Sequence, residues 1–330
     1  MKFGVNIPIA PRPDARHPYD HVFEYCARVE ELGYDFVVLG HHRFTPGFPL
    51  HPWVTLGAIA ARTETLRLGT SIALLPLDHP LDMAEEIATV DQLSDGRVFL
   101  GAGIGYRPYE YDALNLDFHT RGRRMSECLE IVQRAWTEDT LSFHGEFFDF
   151  DDVAVYPKPV QQPRPTIWIG ANSDAAVRRA ARLTDGWMVG FGDRLPTAVE
   201  RIAKFRDESR THNRRGEICL MRLVGIGATR EQVEETWLPD VLATLRGYAR
   251  AGAPQDRNDD VRKVARSERP SLEGLGNDLF VAGTPDDVIR GLQRAADMTG
   301  CEYLMPSMAG GDDPLAPVEL FGKEVIPAFR

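Results

Sequence analysis

The chain has 330 residues, 43% of them hydrophobic, and a net charge of −11 at pH 7. That length and apolar content suffice for one sizeable core, and the acidic balance, spread without any Lys/Arg block, leaves no footprint for nucleic acid or an anionic membrane. Four scattered cysteines, Cys26, Cys128, Cys219 and Cys301, contain no C-x-x-C pair and predict reduced packing residues in a cytoplasmic protein.

The first residues, Lys2-Phe3-Gly4-Val5-Asn6-Ile7-Pro8, enter a strand where a secretory signal needs an uninterrupted apolar run. No apolar stretch approaches the ~20 residues that span a bilayer, so no membrane partner is expected. Over 20–32, Val22, Cys26, Val29 and Leu32 share one helical face, and Gly33 stops the helix. Phe36-Val37-Val38-Leu39 follows, four apolar residues without alternation, as a strand covered on both faces requires. The unit then recurs. Helices over 52–63 and 80–93 lead to strands over 66–75 and 97–103, and a helix over 120–136 leads into a polar and aromatic excursion over 141–165. Strands at 166–170, 186–190, 219–227 and 302–305 bring the count to eight. Helices are expected over 173–183, along a long stretch after 227, from Thr284-Pro285-Asp286-Asp287, and near 318–326. The expected fold is α/β: one (β/α)8 TIM barrel domain over 1–330 with insertion loops near 141–165 and 252–277. The second insertion, rich in Gly, Pro, Asp, Arg and Ser, reads equally as a lid over the strand ends and as a mobile surface loop.

A barrel of this kind builds its site from polar groups at the carboxyl ends of successive strands. Gly40-His41-His42-Arg43-Phe44 ends the second strand, and an imidazole titrating near neutrality can move a proton during turnover. Neighbours on an extended segment point opposite ways, which predicts one histidine facing the mouth and one structural. The histidines show no H-E-x-x-H motif and no cysteine partner at ligand spacing, so no metal site is expected. Thr70-Ser71-Ile72-Ala73 mixes small and polar residues in an apolar strand, where a flat ring could approach the backbone; an ordinary strand with a buried serine is the alternative. Gly101-Ala102-Gly103-Ile104-Gly105 has G-x-G-x-G spacing, and the Tyr106-Arg107-Pro108 after it is not expected to open the helix a dinucleotide fingerprint demands. As a strand exit, its glycines permit backbone contact with a planar cofactor. At Gly170-Ala171-Asn172-Ser173-Asp174 a strand ends and a helix begins with its free N–H groups toward the mouth, the best anion site in the chain. Ser173 as a mere N-cap is the alternative, and Asp174 competes for the same dipole.

Taken in order with His79-Pro80, Asp91-Gln92-Leu93-Ser94-Asp95-Gly96-Arg97 and Ala181-Arg182-Leu183-Thr184-Asp185-Gly186-Trp187, these pieces resemble the bacterial luciferase-like flavin monooxygenases over nearly the whole chain. The resemblance implies a two-component, FMN-dependent monooxygenase. Reduced FMN comes from a separate NAD(P)H-flavin reductase, O2 is the co-substrate, and a small organic molecule is oxidised. It implies a proton-transfer role for His41, a non-prolyl cis peptide at Ser71-Ile72 behind the flavin ring, and flavin contacts from Ser71, Ile72, Gly103 and Gly105. It also implies a flavin phosphate at Asn172 and Ser173 with help from Arg123, and a homodimer. The light-emitting enzymes carry a glutamate where this chain has Gly40, and a cysteine and an arginine where it has Gly103 and Ile104, so light emission is not expected. Two other readings stand beside this one: a deazaflavin-dependent oxidoreductase of the same superfamily, and a non-catalytic flavin-binding barrel. Phe44, Phe48, Trp53, Tyr106 and Phe191 near strand ends favour an apolar or aromatic substrate.

Overall fold

The computed structural model of the protein describes residues 1–11, 17–45, 47–48, 50–250, 278–308 and 313–330; the insertion expected near 252–277 lies outside the described residues. Strands β1 (Lys2–Asn6), β2 (Phe36–Leu39), β3 (Arg67–Thr70), β4 (Ala73–Leu74) and β5 (Val98–Gly103) alternate with helices α1 (Asp20–Glu31), α2 (Pro52–Ala60) and α3 (Pro80–Leu93). Next come α4 (Pro108–Asp112), α5 (Arg121–Thr137) and an antiparallel hairpin of β6 (Leu141–His144) and β7 (Asp149–Val153). The remainder runs β8 (Thr166–Gly170), α6 (Asp174–Leu183), β9 (Gly186–Val189), α7 (Leu195–Thr211), β10 (Glu217–Ile226) and α8 (Arg230–Arg250). It ends with β11 (Phe280–Gly283), α9 (Pro285–Thr299), β12 (Tyr303–Ser307) and α10 (Leu315–Glu324).

Eight strands close into a ring. β1, β2, β3, β5, β8, β9, β10 and β12 pair in that order, each parallel to the next, and β12 returns to β1. The helices cover the outside, which is why the strands are apolar on both faces. Among the described residues no helix is long and apolar enough to cross a membrane.

Three local features differ from expectation. The strand expected over 66–75 is interrupted at the Ser71-Ile72 peptide, which is cis, and resumes as β4 against Ala102 and Gly103 of β5. A helix does open at Pro108: Arg107 is extended, as a residue before proline prefers, and proline suits the first helical position. At five residues it is still not the long helix of a nucleotide fold. Lastly, β11 was not expected from four residues, yet it pairs with Leu223 to Ile226 on the outer half of β10. Trp237, Val241 and Leu242 of α8 pack with Leu223 and Phe280 there in a separate apolar cluster.

The amino-terminal half of the barrel is filled by rings. Phe36, Phe99, Trp168 and Tyr303 lie with centroids 4.5 to 6.2 Å apart, mostly edge to face. They fit because small positions face them: a Cβ on Gly4 would stand 2.2 Å from the Phe36 ring, and one on Gly69 would stand 2.3 Å from Phe99. Val38, Met188, Cys219 and Met305 form the layer above.

Two of the motifs singled out in the sequence are structural. The Asp91 carboxylate is buried and accepts hydrogen bonds from the Val160 and Gln161 backbone N–H groups and the Gln161 side chain. Arg97 donates to the Ser94, Leu66, Ala60 and Thr63 carbonyls and to the Thr63 hydroxyl, clamping the turn into β3. Asp185 pairs with Arg164 and accepts from the Ile167 N–H, which fixes the start of β8.

Because a methyl group at position 69 has nowhere to go, Gly69→Ala is expected to lower stability by about 1 to 3 kcal/mol. Urea unfolding measures it, and Gly69→Ala with Phe99→Leu should recover part of the loss. An unchanged midpoint in the single variant would refute the close-packed floor.

Candidate functional site

Above the ring-filled floor the barrel opens into a cavity of about 980 Å³ at the carboxyl ends of the strands. Its wall takes Asn6 from β1, His41 and His42 after β2, Ser71 and Ile72 after β3, and Ile104, Gly105 and Tyr106 after β5. Gly170, Asn172 and Ser173 follow from β8, Phe191 from beyond β9, Met221 from β10 and Ser307 from β12. Closure of the ring makes these neighbours despite their distance in sequence.

Six of the residues expected in the site line this cavity: His41, Ser71, Ile72, Gly105, Asn172 and Ser173. Gly103 does not, because the Ile72 side chain covers it; a Cβ there would meet Ile72 Cδ1 at 1.7 Å. The same side chain passes 3.0 Å from where a Cβ on Gly170 would be, so Ile72 fills a slot that the two glycines leave. Arg123 is not part of the wall. It is exposed and pairs with Glu146 in a two-pronged salt bridge. Two residues along a helix are about 200° apart, and it is Arg121, on the other side of α5, that lines the cavity. Its guanidinium lies 3.7 Å over the Phe118 ring and donates to the Phe118 carbonyl, while its buried Nε has no partner.

The α6 terminus is both capped and open. Ser173 Oγ accepts from the Ala176 N–H at 3.3 Å, and Asn172, Ser173, Asp174 and Ala175 are exposed. With Arg121 and an accessible helix N-terminus on the wall, and the Ile72 side chain seated over two glycines, the wall has donors for a phosphate and an apolar surface for a flat ring. A flavin nucleotide therefore fits the residues present.

The histidine pair differs from expectation in two respects. Both residues line the cavity, and both lie beyond the last residue of β2. His41, moreover, is not poised near neutrality: burial, then the nearby Arg43, His51 and His42, lower its pKa from 6.5 to about 3. Its Nδ1 accepts the Leu74 backbone N–H at 3.2 Å, so the neutral ring carries its proton on Nε2. His41 is thus a fixed neutral hydrogen-bond donor.

His42 is held differently. Its Nδ1 lies 3.0 Å from Glu110 Oε1, its Nε2 lies 3.3 Å from the Tyr106 hydroxyl, and its ring packs on Phe48. Glu110 is fully buried and also accepts the Arg43 backbone N–H at 2.8 Å. The Arg43 guanidinium is engaged by Asp78. Neither Glu110 nor Arg121 was singled out from the sequence. The signal for Arg121 was present in the 100° step of the helix applied to Arg121-Gly122-Arg123-Arg124, whereas a lone carboxylate in a five-residue helix offers no periodicity.

Comparison with known proteins agrees with the barrel fold. The family model described as luciferase-like monooxygenase matches residues 1–301. An uncharacterised protein of Mycobacterium bovis is 37% identical over 179 residues, which is 53% of this chain and 61% of that protein, so the chain matches less than two thirds of its length. An F420-dependent glucose-6-phosphate dehydrogenase of Segniliparus rotundus is 27% identical over 93% of each chain. An FMNH(2)-dependent dimethylsulfone monooxygenase of Pseudomonas putida is 26% identical over 91% of this chain and 85% of its own. The crystal structure of a monooxygenase from Streptomyces bottropensis superposes over the full length of both chains with a TM-score of 0.83 at 24% identity.

Burial of a neutral His41 sets a pH dependence of stability. Between 6.5 and about 3 the unfolded ring binds a proton that the folded one refuses, so this contribution is intact above 6.5 and is lost as pH falls toward 3. Urea midpoints measured from pH 7 to 4 should fall less steeply in His41→Gln than in the parent chain. Parallel losses in the two proteins would sink the assignment.

Proposed function

We propose that this chain, which belongs to the luciferase-like monooxygenase family, is a flavin-dependent monooxygenase that uses reduced FMN and O2 to oxidise a small organic substrate in the rim cavity. The observation that carries the reading is the convergence of Arg121, the open α6 terminus and the Ile72 side chain on one cavity of about 980 Å³. Reduced flavin, when bound, supplies the electrons that activate dioxygen, so the organic chemistry belongs to the cofactor. The chain's own residues bind, orient and exclude water.

Arg121 and the α6 N–H groups take the flavin phosphate, with Ser173 and Asn172 beside them. Ile72, seated against Gly103 and Gly170, backs the ring system. His41, kept neutral by burial and with its hydrogen on Nε2, is a hydrogen-bond donor on the wall. Ile9, Phe48, Phe191, Met221 and Met308 supply an apolar wall for the substrate and keep out water. A separate NAD(P)H-dependent reductase delivers the reduced flavin.

The Segniliparus rotundus relative supports a second reading, hydride transfer with a deazaflavin and without oxygen. Anaerobic fluorescence titration with reduced FMN and with the deazaflavin separates the two. Tighter binding of FMN, with flavin re-oxidation on admitting oxygen slowed several-fold relative to free flavin, is the expected result. Tighter binding of the deazaflavin, or re-oxidation as fast as in free solution, would overturn it. In the same titration Arg121→Ala should weaken FMN binding about ten-fold or more, and Arg123→Ala less than about two-fold, because only the first loses a charge-assisted contact.

A further inference from the structure

We infer that Glu110, His42 and Tyr106 form a proton relay opening on the rim cavity, in which the Tyr106 hydroxyl hands a proton to, or takes one from, a substrate oxygen. The inference deepens the proposed function and rests on it for the identity of the site, though not for the relay itself.

Three observations support it. First, an ionised Glu110 sets the tautomer of His42. A carboxylate only accepts, so with Glu110 ionised the ring nitrogen facing its Oε1 at 3.0 Å, Nδ1, bears a hydrogen. In the neutral ring Nε2 is then free to accept from the Tyr106 hydroxyl 3.3 Å away. His41 has the opposite tautomer, with Nδ1 occupied by the Leu74 N–H. The two adjacent histidines on the cavity wall thus hold opposite tautomers.

Second, only His42 has a partner that favours its cation. Glu110 is 0% exposed, and its Oε2 is buried without a hydrogen bond. A carboxylate held that way is costly unless a cation compensates it. Arg43 gives Glu110 only its main-chain N–H while its guanidinium binds Asp78. Arg107 lies 5.5 Å over the Tyr106 ring and hydrogen-bonds the Tyr106 hydroxyl, its Nη1 is held by Thr45 and Tyr109, and its buried Nε has no partner. His41 stays neutral. Of the charged or titratable side chains around the pair, His42 is the one that bonds the Glu110 carboxylate.

Third, the chain of contacts leads to the open. Glu110 is sealed behind His42, whereas His42 and Tyr106 both line the cavity.

The step balances within the relay. As negative charge develops on a substrate oxygen, the Tyr106 O–H bond breaks toward that oxygen and Tyr106 takes the Nε2 hydrogen of the His42 cation. The ring is left neutral, still bonded through Nδ1–H to Glu110, and regains a proton from solvent. The substrate chemistry this suits is a carbon bearing a carbonyl or hydroxyl oxygen. Tyr106 would touch that substrate, whereas Glu110 acts through His42 and is a positioning residue.

The test is histidine-ring NMR on the full chain without added flavin or substrate, with the His42 signals assigned from His42→Gln. In the parent protein, nitrogen shifts should report an Nδ1–H tautomer for the neutral His42 ring and an Nε2–H tautomer for His41. In Glu110→Gln, whose amide can donate as well as accept, the Nε2–H form of His42 should gain at the expense of Nδ1–H. An Nε2–H tautomer for His42 in the parent protein would overturn the relay even if the variant does not fold. So would an unchanged Nδ1–H tautomer of His42 in a folded Glu110→Gln. Both NMR results as expected in a protein that binds neither flavin would leave the relay standing and refute the flavin reading.

Discussion

The contact on which the rest of the molecule depends is the one between bare backbone and aromatic ring in the lower barrel. Gly4 and Gly69 let Phe36 and Phe99 lie where a methyl group would otherwise be, and Trp168 and Tyr303 complete the layer. With that half filled, the open volume is confined to the opposite end, where every strand delivers its carboxyl terminus. The floor also keeps the ring of strands from collapsing inward, since close-packed rings are hardly compressible. The cavity is therefore a consequence of packing below it as much as of loops above it.

Much of the fold could be read from the sequence because a parallel strand covered on both faces leaves an unmistakable run of apolar residues, as in Phe36-Val37-Val38-Leu39. What escaped was whatever lacked length or period. β11 has four residues and owes its strand form to pairing with β10 and to packing under Trp237 of α8, both long-range contacts. The excursion after α5 was expected as loop, but Phe143 and Phe150 stack across a hairpin there at 6.3 Å, and Leu141 and Phe148 bury into the main core. Tertiary burial made strands of segments whose own pattern is broken by Asp and Gly.

The candidate site was legible by position and less so by orientation. Strand ends predicted His41, Ser71 and Asn172 at the mouth, and closure of the ring brings them together. Orientation depends on a rotation of 100° per residue in helices and on where a strand stops, and small errors there change the answer. One such error separates Arg123 from Arg121, since residues two apart on α5 face solvent and cavity respectively. Another assigned the histidines to opposite faces, when both lie past the end of β2 at Leu39 and both line the cavity. The protonation state was further still from reach. His41 and His42 are neighbours of identical type, and only the Leu74 N–H at one and the Glu110 carboxylate at the other make them chemically unlike.

Charge distribution resolves an apparent conflict between an acidic protein and a cavity suited to an anion. The chain carries a net −11, which repels anions at a distance. At physiological ionic strength that repulsion is screened beyond about 8 Å, so what a ligand meets at the rim is set by the nearest groups. The described residues lining the cavity include no Asp or Glu and one guanidinium, that of Arg121. Glu110 lies behind His42 with one oxygen already shared by two hydrogen bonds. Asp174 sits in the first turn of α6 but outside the lining, exposed and so weakened by water. A phosphate in the cavity therefore meets a partly desolvated cation and helix N–H groups at short range, where the local dielectric is low and their attraction is largest. The bulk charge does not decide what the cavity binds.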